Sequence, residues 1–216
     1  MTRINFIYEL EQLNKHFIEL GQLLEQSFDM TVKAADLLDK DVARNVIEKD
    51  DQFDELERKI TSDCIQLIVR QQPIAKDVRN VVAVMRAGKE VEKMADHCES
   101  ICRYIIMLCD EKVIETPETL QKMIDLTKKM VLDVIENFII KDMQENKEII
   151  KQDEVLDQYF AVLRDELVQN MKEHPETIAQ SVDYLMIARS VSRMAAHAIN
   201  IAEWIQYMVT GELASN

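Results

Sequence analysis

The sequence predicts an all-α protein: a tandem duplication of a three-helix bundle, six long helices in all, with a spectrin-repeat-like organisation. Three observations carry this. Gly and Pro occur three times each in 216 residues, too little punctuation for a fold of many strands and turns. Apolar residues make up 47% of the chain and recur at alternating intervals of three and four, the period of a helical-bundle seam. Finally, EVEKMADHCESI at 90–101 returns as SVSRMAAHAINI at 190–201. Similarity at a fixed long interval is the mark of a repeated structural unit.

The elements follow from breaks in that pattern. The predicted helices span about 3–39, 42–71, 74–112, 118–142, 145–173 and 176–211. The first break is LLDKDV, around Asp39–Asp41. Pro73 opens the third helix and Pro175 the sixth, because a proline gives up nothing in a first turn, where the N–H has no helical partner. Thr116 is the expected N-cap of the fourth helix, with Pro117 at its first position. A softer break, KDMQENK, precedes the fifth. Gly211 is the expected stop after the sixth.

The two halves align with an offset of 100–103 residues: Asp50 and Asp54 with Asp153 and Asp157, Pro73 with Pro175, His97 with His197. This predicts one unit over 1–115 and a second over 116–216. The third helix of the first unit carries a stripe of small apolar residues: Val81, Val84, Gly88, Val91, Ala95, Cys98, Cys102, Ile105 and Cys109. The second unit repeats it with Ser181, Tyr184, Ala188, Val191, Ala195, Ala198, Ala202, Ile205 and Val209. Small residues let neighbouring helices approach closely. The cysteines on this stripe, like Cys64, read as reduced core thiols. No C-x-x-C is present to suggest a thiolate zinc site or a redox pair. The methionines, Met85, Met94, Met107 and Met194 among them, read as gap-filling core.

A formal charge of -14 repels phosphate backbones and argues against nucleic-acid binding. It suits cations or a basic protein surface. The start MTRINFIYELEQL lacks the basic and apolar regions of a signal peptide. No apolar run approaches the ~18 residues of a membrane span. The expectation is a cytoplasmic protein without direct membrane insertion.

Beside the stripe lie Glu92, Asp96 and Glu99. On the preceding helix Asp50, Asp54 and Glu57 have the same spacing, next to the apolar line Phe53, Leu56, Ile60 and Leu67. Residues four and three apart share a helix face. If the two helices are antiparallel neighbours, two carboxylate rows converge, and their mutual repulsion calls for a cation. An all-oxygen set favours magnesium, calcium, manganese or iron. Zinc is less natural without Cys or a well-placed His, although His97 adjoins Asp96. The bland alternative is a solvated acidic face, with Arg79, Lys89, Arg103, Arg189 and Arg193 as its salt-bridge partners. His97 and His197 hold the same place in the two copies and read as hydrogen-bonding residues before ligands. The chain has no Gly-rich phosphate loop, no G-x-S-x-G and no H-E-x-x-H. A non-enzyme is the expectation, with a carboxylate-bridged metalloenzyme of the bundle type as the alternative and a metal-free structural bundle as a third reading.

Taken with the duplication, the acid pairs on the second and third helices resemble the PhoU family of bacterial phosphate-signalling regulators, over essentially the whole chain. Gln72-Pro73-Ile-Ala-Lys-Asp77-Val-Arg79 is similar to that family's P-x-A-x-D-L-R. Glu92-Lys-Met-Ala-Asp96 stands where it has E-R-I-G-D. IARSVSRMAAHAINIAEWIQYMVTGE at 187–212 is similar to R-x-x-E-R-I-G-D-x-x-x-N-I-x-E and its closing Gly. The resemblance implies multinuclear metal sites: Asp50, Asp54, Glu92 and Asp96 in the first repeat. Glu57, His97 and Glu99 are secondary candidates from their spacing and position alone. In the second repeat the resemblance leaves Asp153 and Asp157, because Ser192 and Ala196 replace the other two acids. One occupied site and a weak or empty second one are expected. The resemblance further implies a homodimeric adaptor that restrains phosphate uptake and starvation signalling by contacting a phosphate ABC transporter and its sensor kinase.

Overall fold

The computed structural model describes residues 3–110 and 114–212. They form α1 (Arg3–Leu37), α2 (Lys40–Glu48), α3 (Asp50–Gln71), α4 (Ala75–Leu108), α5 (Glu118–Ile140), α6 (Met143–Glu173), a 3-10 turn (Pro175–Thr177) and α7 (Ile178–Thr210). The predicted all-α class holds. Among the described residues, the predicted 42–71 helix is interrupted at Lys49, which divides it into α2 and α3. That break was invisible to the apolar pattern. Val46 and Phe53 are both buried, one on each side of it, and their seven-residue spacing keeps one face toward the core through the break.

The helix ends show how the chain turns. Leu38, Gln72 and Lys141 adopt left-handed backbone conformations without being glycine; each sits at a helix C-terminus, where that conformation closes the last carbonyls. Asp39 Oδ1 accepts from the N–H groups of Asp41 and Val42 and starts α2. Asp142 Oδ1 accepts from those of Gln144 and Glu145 and starts α6. Thr116 does not cap α5: Pro117 takes that position, and the Thr116 hydroxyl lies 3.3 Å from the Tyr184 hydroxyl. Gly211, at φ 80°, ends α7 as predicted. α4 stops at Leu108 rather than near 112, and the last part of that predicted helix lies outside the described residues.

α4 and α7 form the centre. They run antiparallel: Arg79 packs on Gly211, the Arg86 guanidinium lies over the Trp204 ring, and His97 meets His197. α1, α2 and α3 pack on α4, whereas α5 and α6 pack on α7. The buried side chains of both halves make one continuous cluster. The small-residue stripes lie inside it, except at their ends, where Cys109 is only half-buried and Val209 is exposed. α1 and α5 close the two halves on a second side. There the Phe17 and Phe138 rings sit 4.3 Å apart. A Cβ on Gly21 would come within 2.6 Å of Ile135 Cγ2, so the missing side chain is what permits that approach.

Candidate functional site

α3 and α4 are packed neighbours, and their acid rows meet. Burial raises the Asp50 carboxyl to about 6, and Asp96, Glu99, Asp54 and Glu92 all push it the same way. Burial also raises Asp96, then Glu92, with Glu99 and Asp54 adding and Lys89 opposing. The four carboxylates that the resemblance implies therefore share one electrostatic neighbourhood, with Glu99 beside them. Ionising Asp50 or Asp96 is harder because the others are there.

They do not stand bare. Glu92 is 7% exposed and its Oε2 lies 2.7 Å from the Lys89 ammonium one turn back. Asp54 Oδ2 is 3.6 Å from the Arg58 guanidinium. Glu57 accepts from the Thr61 hydroxyl at 2.8 Å, and Glu99 accepts from the Arg103 guanidinium. Among the described residues, no set of three or more His, Cys, Asp or Glu side chains is arranged to hold a metal ion as the side chains stand. The donor chemistry, oxygen-only and mutually repelling, fits a hard cation. The present rotamers form a neighbourhood and not a coordination shell.

His97 lies apart from this cluster although Asp96 precedes it. Its ring stacks on His197, with centroids 5.4 Å apart and planes 27° from parallel. Burial, with His197 and Arg193 adding to it, lowers its pKa to about 4, so it is a neutral imidazole at neutral pH. His197 is placed differently: its Nδ1 is 2.7 Å from Glu90 Oε2, which also accepts from Asn200 Nδ2 at 2.9 Å. Burial pushes the Glu90 carboxyl up, but these two hydrogen bonds, together with the electrostatic pull of His197 and Lys93, outweigh it and hold the carboxyl below its usual value. An ionised Glu90 makes His197 Nδ1 the donor. The spacing argument missed Glu90 and Asn200. The visible clue was a third asymmetry in the repeated frame, where Glu90 becomes Ser190.

The second repeat is electrostatically milder. Asp153 is raised by burial and then by Asp157 alone. Ser192 replaces the buried Glu92, and its hydroxyl oxygen is buried without a hydrogen-bond partner among the described residues. No helix among the described residues is long and apolar enough to cross a membrane.

The sequence profile described as the PhoU domain matches this chain twice, over residues 17–105 and 120–205. The phosphate-specific transport system accessory protein PhoU homolog of Streptococcus pneumoniae is 30% identical over 211 residues, 98% of each chain. The homolog from Pseudomonas putida is 30% identical over 209 residues, 95% of this chain and 81% of its own. The crystal structure of the phosphate transport system regulatory protein PhoU from Streptococcus pneumoniae has a TM-score of 0.91 to this fold at 30% identity, covering 98% of this chain and 100% of that one. PhoU from Pseudomonas aeruginosa also scores 0.91 at 30% identity, covering 96% of this chain and 100% of its own.

Proposed function

This chain belongs to the PhoU family, and on that premise we propose that it is an accessory regulator of phosphate transport. It acts in the cytoplasm as an adaptor, restraining phosphate uptake and phosphate-starvation signalling through contacts with a phosphate ABC transporter and its sensor kinase, and it does so as a homodimer. The observation that carries this reading is the end-to-end match, in sequence and in fold, to relatives named for phosphate transport. The charge of -14 supports docking on basic partner faces. Deleting the gene should raise phosphate uptake and switch on a phosphate-starvation reporter in phosphate-rich medium. The tagged protein should also capture transporter components from solubilised membranes. Unchanged uptake and reporter output, with no such capture, would overturn the reading.

We further propose that the acid cluster of the first repeat is a cation site, held by Asp50, Asp54, Glu92 and Asp96. The raised Asp50 and Asp96 carboxyls support this, because burial and neighbouring acids disfavour their charge and a bound cation would relieve that cost. Lys89 supplies one such charge to Glu92 now and would have to swing away for Glu92 to become a ligand. A bound magnesium, calcium, manganese, zinc or iron ion would neutralise the two rows and tie α3 to α4. With its weaker charge and with Ser192 and Ala196 in place of acids, the second repeat would remain empty or weakly filled.

A further inference from the structure

Between α1 and α5 runs an open groove of about 540 Å³. Ile18, Gly21, Leu132, Ile135, Ile139 and Ile140 line it, and Ile139 and Ile140 are 41% and 63% exposed. Its length follows from the eight steps along α5 from Leu132 to Ile140, at 1.5 Å each: about 12 Å, or two helical turns. Two exposed acids, Glu25 and Glu136, stand on its walls, and neither makes an ion pair or hydrogen bond among the described residues. Alongside, between α5 and α6, a second furrow of about 300 Å³ carries Asp133, Glu136, Asp142 and Glu145. It shares Glu136 and Ile140 with the first.

An apolar floor with an unpaired acid on each wall matches one kind of occupant. We propose that the α1–α5 groove docks an amphipathic basic helix from a partner protein. Apolar side chains at i, i+3 or i+4 and i+7 would enter between Ile18 and Ile139, with Lys or Arg over Glu136 and the α5–α6 furrow. Two other occupants fit less well. A second copy seated face to face would bring Glu25 and Glu136 against their own likes. A membrane surface would set the same acids against anionic headgroups. The chemistry of the partner comes from the groove itself; only its assignment to the phosphate transporter or kinase rests on the adaptor reading.

The test uses the full chain and a fluorescein-labelled Leu/Lys amphipathic peptide of about three turns. Two control peptides carry Glu for Lys, or Ser for Leu. The Leu/Lys peptide should bind and both controls should fail. The Ile139→Ser/Ile140→Ser pair, and separately Glu25→Lys/Glu136→Lys, should each weaken binding by about tenfold or more, as loss of central anchors does. Matched changes elsewhere on the surface, Val155→Ser/Val162→Ser and Glu154→Lys, should leave it within about twofold. All four replaced apolar side chains are exposed, and circular dichroism should show every variant folded. Equal weakening by the matched variants, or equal binding of the Glu peptide, overturns the proposal. So does conversion of a dimer to a monomer by Ile139→Ser/Ile140→Ser, which would give the face to a second copy. Groove-specific peptide binding without capture of transporter components sinks the adaptor reading and leaves the groove standing; capture that survives both groove variants, with no groove-specific peptide binding, does the reverse.

Discussion

The segments 90–101 and 190–201 are copies of one frame, and they now do different things. Their packing positions are the same: Met94 and Met194, Ala95 and Ala195, Ile101 and Ile201 are all buried. Their polar positions diverge. The first copy carries Glu90, Glu92 and Asp96; the second carries Ser190, Ser192 and Ala196. In the bundle the two frames lie antiparallel against each other, and the equivalent His97 and His197 stack as two copies related by a two-fold would. Yet Glu90, which also accepts from Asn200, holds His197, whereas burial beside His197 and Arg193 keeps His97 neutral. The difference teaches that core packing constrained both copies alike, and that the chemistry lies in the residues packing left free.

Three measurements break or sharpen this contrast. The largest effect concerns what the copies share. Met94→Ala and Met194→Ala should each cost about 2–5 kcal/mol by urea unfolding, and within about 1 kcal/mol of each other, since both side chains are fully buried. A cost confined to one of them would show that the frame packs in only one half. Next comes the acid cluster. At a cation concentration a hundred times its Kd, metal-free protein should gain about 2.7 kcal/mol, read as a rise in thermal midpoint. Asp54→Ala/Asp96→Ala should abolish the gain, and Ser192→Glu/Ala196→Asp should add a second binding equivalent by calorimetry. Because Asp50 is raised to about 6, protons compete below that pH, and the gain should shrink as pH falls through 6. A gain that survives the double alanine variant would place the cation elsewhere.

The smallest effect is at the pair of stacked histidines. Glu90→Ala strands the Nδ1 donor of His197 and the amide of Asn200 and should cost about 1–3 kcal/mol; Ser190→Ala, at the equivalent place, should cost less. The sign with pH is definite. Glu90 is depressed in the folded chain relative to its usual 4.5, so its contribution is fully present above 4.5 and lost as pH falls through the lower folded value. The gap between wild type and Glu90→Ala should therefore close in acid. A gap that stays constant down to pH 3 would mean the side chain matters only for packing.

Much of this was legible in one dimension. Scarce Gly and Pro, a three-and-four apolar rhythm and a repeat near a hundred residues set the helices and their grouping, because each depends on local period or chain identity. The same rhythm concealed the break at Lys49, since seven residues from Val46 to Phe53 carry one face across it. Thr116 next to Pro117 looked like a cap; tertiary contact with Tyr184 took the hydroxyl instead.

The sequence alone therefore determined the class of the fold, the duplication, and which acids share a helix face. Which acids face one another, that Lys89 already answers Glu92, that His97 turns from its neighbour Asp96 toward His197, and that α1 and α5 leave an apolar groove were settled only in three dimensions. Spacing along a helix sets the direction of a side chain about its own axis. What it meets depends on the rotation and crossing of the neighbouring helix, and those come from the packing of the whole core.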